Sequence, residues 1–396
     1  MTVFDTARPQ RRTRRFALVL FGTYTRTLVI AHARHIGTVT AALLIVAMTL
    51  DLAPRAEWIA SQAPSRGAPA LVLHFLWYLA LRMSDLIGNL LPLACFMGLF
   101  WSEITLTQSR ERVIIWNGGR SPLQTLVPLA ILGVVFGALQ VTALSVLRPG
   151  AVAIQIEQNL GEYGRRFDRR LHPEARQWVT LPTHLIHARI DYRASRMVDV
   201  QVFEFSDTGR LNGRIEAASA EPTSTHGRWR FHSGSRWDAP DAAPTSQPTD
   251  TGATRRFDVE DDDLPVDPLW LASFGIDARY LPNGVLASLA TRADIPDASG
   301  YRTWRQVRIA QFFLPFGMLL LASCLATALI AQRTAFKPMI LIGLAGYFLY
   351  VSNNIVVWLG EYGQLPAIFA AWLMPLAMVA SGLALMTWLE RRGRAS

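Results

Sequence analysis

The chain has 396 residues, of which 51% are hydrophobic and only 17% charged, where an ordinary soluble protein carries about a quarter charged residues. Its net charge of +9 is built on arginine, because Lys337 is the sole lysine, and it follows Phe336, not the glycine that a G-x-x-x-x-G-K phosphate loop requires. These facts argue against a soluble globular enzyme and a P-loop nucleotidase, and the basic residues sit at the ends of apolar runs, so no nucleic acid is expected as a partner.

In chain order, the opening "RRTRRFALVLFGTYTRTL" has the basic flank of a signal peptide but a short, interrupted apolar run and no A-x-A site, so 1–35 is read as a cytoplasmic N-terminal segment. A span needs about twenty mostly apolar residues. Six segments qualify, at 36–52, 71–104, 123–147, 309–331, 339–359 and 365–388. The second is long enough to tilt or project from a bilayer. Arg11, Arg12, Arg14, Arg15, Arg26 and Arg34 precede the first, Arg110, Arg112 and Arg120 separate the second and third, and Arg333 and Lys337 separate the fourth and fifth. Arg391, Arg392 and Arg394 follow the sixth. The opposite short loops hold only Arg55 and Arg66, with Glu361 on the last. That bias places both termini in the cytoplasm and the polar insert outside.

The expected architecture is an α-helical membrane protein with six transmembrane helices (3+3) and a β-domain inserted between helices 3 and 4. The domains are 36–148 with the first three helices, 149–302 as the insert, 303–390 with the last three helices and 391–396 as a cytoplasmic tail. Within the insert, "QWVTL", "HLIHARI", "MVDVQVFEF", "RLNGRIEAASA" and "GRWRFHSGSRW" alternate like strands and are separated by turns such as "SDTG" and "STHG". Such spacing suits a sandwich, jelly roll or similar open β-fold. "DAPDAAPTSQPTDTGAT" reads as a flexible loop and "DVEDDDLPVD" as a solvated acidic linker, since it lacks the glycine and ligand spacing of an EF-hand.

No zinc-helix, serine-elbow or C-x-x-C pattern occurs. His184 and His187 fall on opposite faces of a strand, poor geometry for a metal, and His172, His226 and His232 read as ordinary polar residues of the insert. Cys95 and Cys324 lie in apolar runs and read as small buried hydrophobes. No cofactor or metal is expected on the chain itself.

Ionisable residues inside spans are costly and therefore informative. Arg82, Asp85 and Asn89 form one helical stripe on the second span. Asp51 and Arg55 close the first, and Arg148 closes the third. They read either as a polar rim for a charged head group or as internal ion pairs and snorkelling anchors. In the fifth span, "LIGLAGYFLYVSNNIVVWLG" combines small residues with Asn353 and Asn354, which suits close packing or a lateral opening.

Between the second and third spans, "SRERVIIWNGGRSPLQTL" is too charged to enter lipid and too short to cross it. "NGG" breaks a helix, and Ser121 with Pro122 restarts one as N-cap and N1. A short cytoplasmic helix at about 109–117 follows, either a solvated connector or a docking element presenting Glu111 between Arg110 and Arg112.

"NLLPLACFMGLFWSEITLTQSRERVIIWNGGRSPLQTL", the insert run "HLIHARIDYRASRMVDVQVFEFSDTGRLNGRIEAASAEPTSTHGRWRF" and "GLAGYFLYVSNNIVVWLGEYGQLPAIFAAWLMPL" resemble, in order, the LptF/LptG permease family. The first-span ending "LD" and "LPAIFAAWL" lean toward the LptG-like branch. The resemblance implies a permease subunit of an ATP-driven lipopolysaccharide exporter in the bacterial inner membrane, with the insert a periplasmic β-jellyroll-like domain. It implies a paralogous permease, LptF-like for an LptG-like chain, a dimeric cytoplasmic LptB-like ATPase holding ATP and Mg, and LptC-like and LptA-like bridge proteins. By position Glu111 matches the family's coupling-helix glutamate, with Arg110 and Arg112 beside it. Arg55 falls where the family carries basic residues near the cavity mouth, and Arg82, Arg148, Asp51 and Asp85 join it as candidate lipopolysaccharide contacts. The departures are Ile115, Trp116 and Asn117, where the family has smaller groups, and the Pro/Thr-rich insertion. Rival readings are a membrane-anchored sensor or enzyme acting through the insert, which lacks a nucleophile–base or metal pattern, and a mechanotransmitting ABC subunit, for which six spans are too many.

Overall fold

In a computed structural model of the chain, the described residues are 22–61, 67–112, 114, 122–167, 175–192, 194–225, 227–239, 253–292, 295–330 and 336–395. They form two compact units, residues 153–301 and the two flanking portions of the chain together.

In the flanking unit, α1 (Thr23–Leu52) is followed by a short α2 (Ala56–Ser61) and by α3 (Ala68–Gln108). Helix α1 starts well before residue 36, so Arg26 and Arg34 lie on it instead of preceding it. No proline or glycine separates Thr23 from Ile36, and exposed charges do not stop a helix. The 41 residues of α3 extend about 60 Å, twice a hydrocarbon core of about 30 Å. A 3-10 turn, Pro122–Thr125, leads into α4 (Leu126–Thr142), a π-helical segment (Ala143–Leu147) and α5 (Arg148–Glu157). Pro122 thus opens a tighter turn in place of the expected α-helical N1, and Ser121 lies outside the described residues.

Pro92 sits inside α3 and cannot donate to the carbonyl of Gly88, four residues back. In an apolar bundle that carbonyl needs another donor. Gln140 of α4 supplies it, its Nε2 donating to Gly88 O at 2.7 Å. Small residues permit such approaches. A Cβ at Gly98 would lie 2.5 Å from the backbone of Ile36, and one at Gly137 would lie 2.4 Å from Phe312 O. Packing of this kind, with Leu91, Phe96, Leu99, Leu129, Met318 and Leu320 buried around it, holds helices together where lipid removes the hydrophobic drive.

The central unit begins with α6 (Gly161–Arg166). Then come β1 (Gln177–Thr180), β2 (His184–Asp191), β3 (Arg196–Phe205), β4 (Leu211–Pro222), β5 (Arg228–Asp238) and β6 (Ala253–Asp263), and finally α7 (Pro268–Ser273) and α8 (Asn283–Ala290). The strands form one antiparallel sheet in sequence order. Among the described residues no strand crosses over as in a jelly roll. The turns fall where expected, with Gly209 and Gly227 at positive φ. The first six residues of the segment read as an acidic linker, Asp258–Asp263, are instead the end of β6. Its carboxylates face arginines in register on β5: Arg228 opposite Asp263 and Arg230 opposite Asp261. The ion pairs measure 3.2 and 2.7 Å. Cross-strand opposite charges stabilise pairing, and that partner strand is invisible when the acidic run is read alone.

The sheet is creased. Pairing is interrupted along one transverse row, Asp199, Ala218, Ser233 and Asp258, where Asp199 and Ser233 have φ of 58° and 50°. Burial changes phase there: Met197 is buried before the row, Val200 and Val202 after it. Arg236, paired in register with Arg255, nevertheless contacts Glu260 and Asp262 beyond the crease. The two halves of the meander therefore fold toward each other with their apolar faces inside. Gly234 sits beside the crease, where a Cβ would lie 2.2 Å from Glu216 O. Trp229, fully buried, donates from Nε1 to Val266 O at 2.9 Å. It ties β5 to the segment leading into α7, whose N-cap Asp267 accepts from the N–H groups of Leu269 and Trp270.

The flanking unit resumes with α9 (Ala298–Ala310), α10 (Phe313–Ile330), α11 (Phe336–Glu361) and α12 (Ala367–Ala395). The expected fourth span is broken, because α9 and α10 meet at 54°. Pro315 explains the break, since a continuous helix would set its ring against the carbonyl of Gln311. Among the described residues, five helices are long and apolar enough to cross a membrane, or six with the bent pair as one span.

The Gln140–Gly88 bond yields a prediction. Gln140→Leu leaves a buried carbonyl without a donor and costs about 1–3 kcal/mol, read as a lower thermal midpoint of the purified protein. Adding Pro92→Ala restores the helical N–H and recovers most of that loss.

Candidate functional site

At the C-terminal end of α1, the five candidate lipid-contacting residues come together in one chain of charges. Asp51 is the first node. It accepts from Arg55 Nη1 at 2.6 Å, Tyr78 OH at 2.7 Å, and Arg82 through Nε at 3.0 Å and Nη2 at 2.8 Å. The side-on fork of Arg82 uses the planar geometry that suits guanidinium to carboxylate. Its remaining Nη1 donates to Asp85 at 2.7 Å. Asp85 is the second node, accepting also from Arg148 Nε at 2.9 Å. Helices α1, α3 and α5 are thereby clamped by alternating charges.

The geometry separates the arginines. Arg82 and Arg148 are buried with their aspartates, whereas the Arg55 side chain is 29% exposed. Three arginines against two aspartates leave one excess positive charge. Arg308 of α9, also buried, stands close enough to Arg148 for their charges to interact. Sequence reasoning missed Tyr78 and Arg308. Tyr78 was legible, since it lies four residues before Arg82 on the same helical stripe. Arg308 was not, because it precedes the apolar run that marked the fourth span.

Asn89, the third member of the α3 stripe, takes no part in the charge chain. It lines a small cavity of about 30 Å³ with Gln140, Gln311, Tyr350, Asn353 and Asn354. Pro92 of α3, Leu144 of the π-helical segment and Gln311 at the bend between α9 and α10 all line this polar pocket.

At the other end of α3, the short charged segment begins. Arg110 adopts a left-handed conformation, φ 62°, which terminates α3 and turns the chain. Glu111 is exposed, and a helical bond from Ile114 N to Arg110 O follows. The remainder of the expected helix, 113 and 115–117, lies outside the described residues. Arg112, expected beside Glu111 as a coupling residue, is 2% exposed and pairs with Glu103 of α3. Adjacent residues point opposite ways, and the buried carboxylate decides which. His32 of α1 completes the cluster, with Nδ1 2.8 Å from Ser102 Oγ and Nε2 3.6 Å from Glu103. Glu103 had a signal: a carboxylate inside an apparent span is as uncommon as Asp85.

In the central unit, the folded sheet encloses Arg236 with Glu204, Glu260 and Asp262. Burial opposes the Arg236 cation, yet the hydrogen bonds it donates to Asp238 and Asp262, with the Glu204 charge, hold it above the usual arginine range. Burial raises the Glu204 carboxyl above the ordinary value, against the pull of Arg236. His184 is lowered by burial, with Asp262 opposing. His187 stacks on the exposed Trp178, ring centroids 4.1 Å apart. His172 and His226 lie outside the described residues. Both cysteines are free and buried.

Burial ranks the charge chain energetically. Asp85→Ala strands the buried Arg148 and costs about 3–5 kcal/mol, whereas Arg55→Ala removes a partly exposed pair worth about 1 kcal/mol or less. Thermal unfolding of the two purified variants measures the contrast.

Comparison with curated proteins returns no match. Among protein families, residues 33–388 match the one described as lipopolysaccharide export system permease LptF/LptG, without distinguishing LptF from LptG. The match runs from α1 through the central unit to α12, so the chain belongs to the LptF/LptG family of lipopolysaccharide export system permeases.

Proposed function

We propose that the chain is an LptG-like permease subunit of an ATP-driven exporter that extracts lipopolysaccharide from the inner membrane. The observation that carries this reading is the family match over residues 33–388. The helices supply three spans on each side of the insert, α9 and α10 counting together as the fourth. Arginine-rich short loops put both termini in the cytoplasm and the central unit in the periplasm. Energy enters from a separate LptB-like ATPase dimer, which holds ATP and Mg. A paralogous LptF-like permease completes the cavity, and LptC-like and LptA-like proteins receive the lipid from the β-domain.

Two features of the chain support the division of labour. Glu111 is exposed on the turn after α3, where a cytoplasmic partner reaches it. At the opposite end of α3, the charge chain carries one excess positive charge, with Arg55 the accessible member. Arginine binds phosphate through short charge-assisted bonds, so Arg55 meets the head group first. Arg82 and Arg148 contribute by holding Asp51 and Asp85, and through them the positions of α1 and α5. The creased sheet has an apolar inner face, which suits acyl chains, and Arg236 braces its two halves. Export requires the contacts to the lipid to differ between conformations, because a ligand bound equally well in both shifts nothing.

Co-expression with the second permease and the ATPase tests this. The complex is expected to co-purify, hydrolyse ATP and release lipopolysaccharide to a periplasmic acceptor; a chain that does none of these overturns the reading. Glu111→Ala is expected to insert normally but lose transport or assembly, and unchanged transport would make the segment a plain connector.

A further inference from the structure

We propose that Glu103, Arg112 and His32 form the joint through which movement of the Glu111 turn reaches the first two spans. The inference rests on the coupling reading above and names positioning residues for it. Glu103 is the hub. It belongs to α3, pairs with Arg112 from the segment beyond the left-handed Arg110, and lies 3.6 Å from His32 of α1. All three side chains are at most 2% exposed, so none of them reaches an outside partner. Among the described residues, Nε and Nη1 of Arg112 have no hydrogen-bond partner, and Glu103 is the carboxylate that pairs with that cation. Separating the pair would strand a charge in an apolar bundle, so the two move together. Glu111 next to it faces outward. A partner that displaces Glu111 therefore drags Arg112, and Arg112 draws Glu103 and α3. His32, anchored to Ser102 at 2.8 Å, carries α1 along. The connection is rigid because Gly98, one helical turn from Ser102, lets the α1 backbone at Ile36 pack directly on α3.

The test uses the complete complex of this chain with the second permease and the ATPase. Glu103→Gln and Arg112→Gln are each expected to preserve co-purification and to keep ATP hydrolysis within about twofold, while lipopolysaccharide release falls about tenfold or more. The reversed pair, Glu103→Arg with Arg112→Glu, is expected to recover release to within about threefold, the signature of a direct pair interaction. Release that is unchanged in the single variants overturns the proposal. So does a loss of assembly, hydrolysis and release together, which marks a purely structural pair, and so does a reversed pair that recovers nothing. Failure of the unsubstituted chain to co-purify or release lipid sinks the export reading itself and is seen before any variant is made.

Discussion

A polar group inside an apolar helix bundle must find its partner within the protein, and the rest of this structure follows from that constraint. Water is absent from the bilayer core, so an unpaired carbonyl or charge costs several kcal/mol. Gln140 exists opposite Gly88 because Pro92 leaves that carbonyl without a donor. Arg82 and Arg148 share Asp85 because neither buried cation is stable alone. The same requirement turns Arg112 inward to Glu103 and leaves Glu111 outside.

Irregular helix geometry gathers beside another set of polar side chains. The proline of α3, the π-helical segment after α4 and the bend between α9 and α10 border one small polar pocket lined by carboxamides. Backbone irregularity is tolerated in a membrane only where side chains or cavity water replace the lost bonds. The clamp toward one end of α3 and the Glu103 cluster toward the other bracket this region. Helix α3 is thus a long element joined to α1 toward both ends, through Asp51 and through His32.

The central sheet solves a related problem with different means. A flat six-stranded meander would leave one face bare. Left-handed backbone at Asp199 and Ser233 creases it instead, and the apolar residues of both halves cover each other. The acidic strand β6 is held by the arginines of β5 on its outer rows, while Arg236 spans the fold. Charge here does the work that a second sheet does in a sandwich.

Much of this was legible in the sequence. Runs of apolar residues announced the helices, alternation announced five of the six strands, and the Arg82–Asp85 stripe announced the polar face of α3, because these signals depend only on neighbours along the chain. The quoted motifs carried the family resemblance for the same reason. What the tertiary structure alone decided was pairing. It joined Asp51, Arg82, Asp85 and Arg148 into one network, made a strand of "DVEDDD" by setting β5 beside it, and buried Arg112 while exposing Glu111. Each depends on a partner distant in sequence, and the energy of a buried charge is a property of the pair and its surroundings, not of the residue.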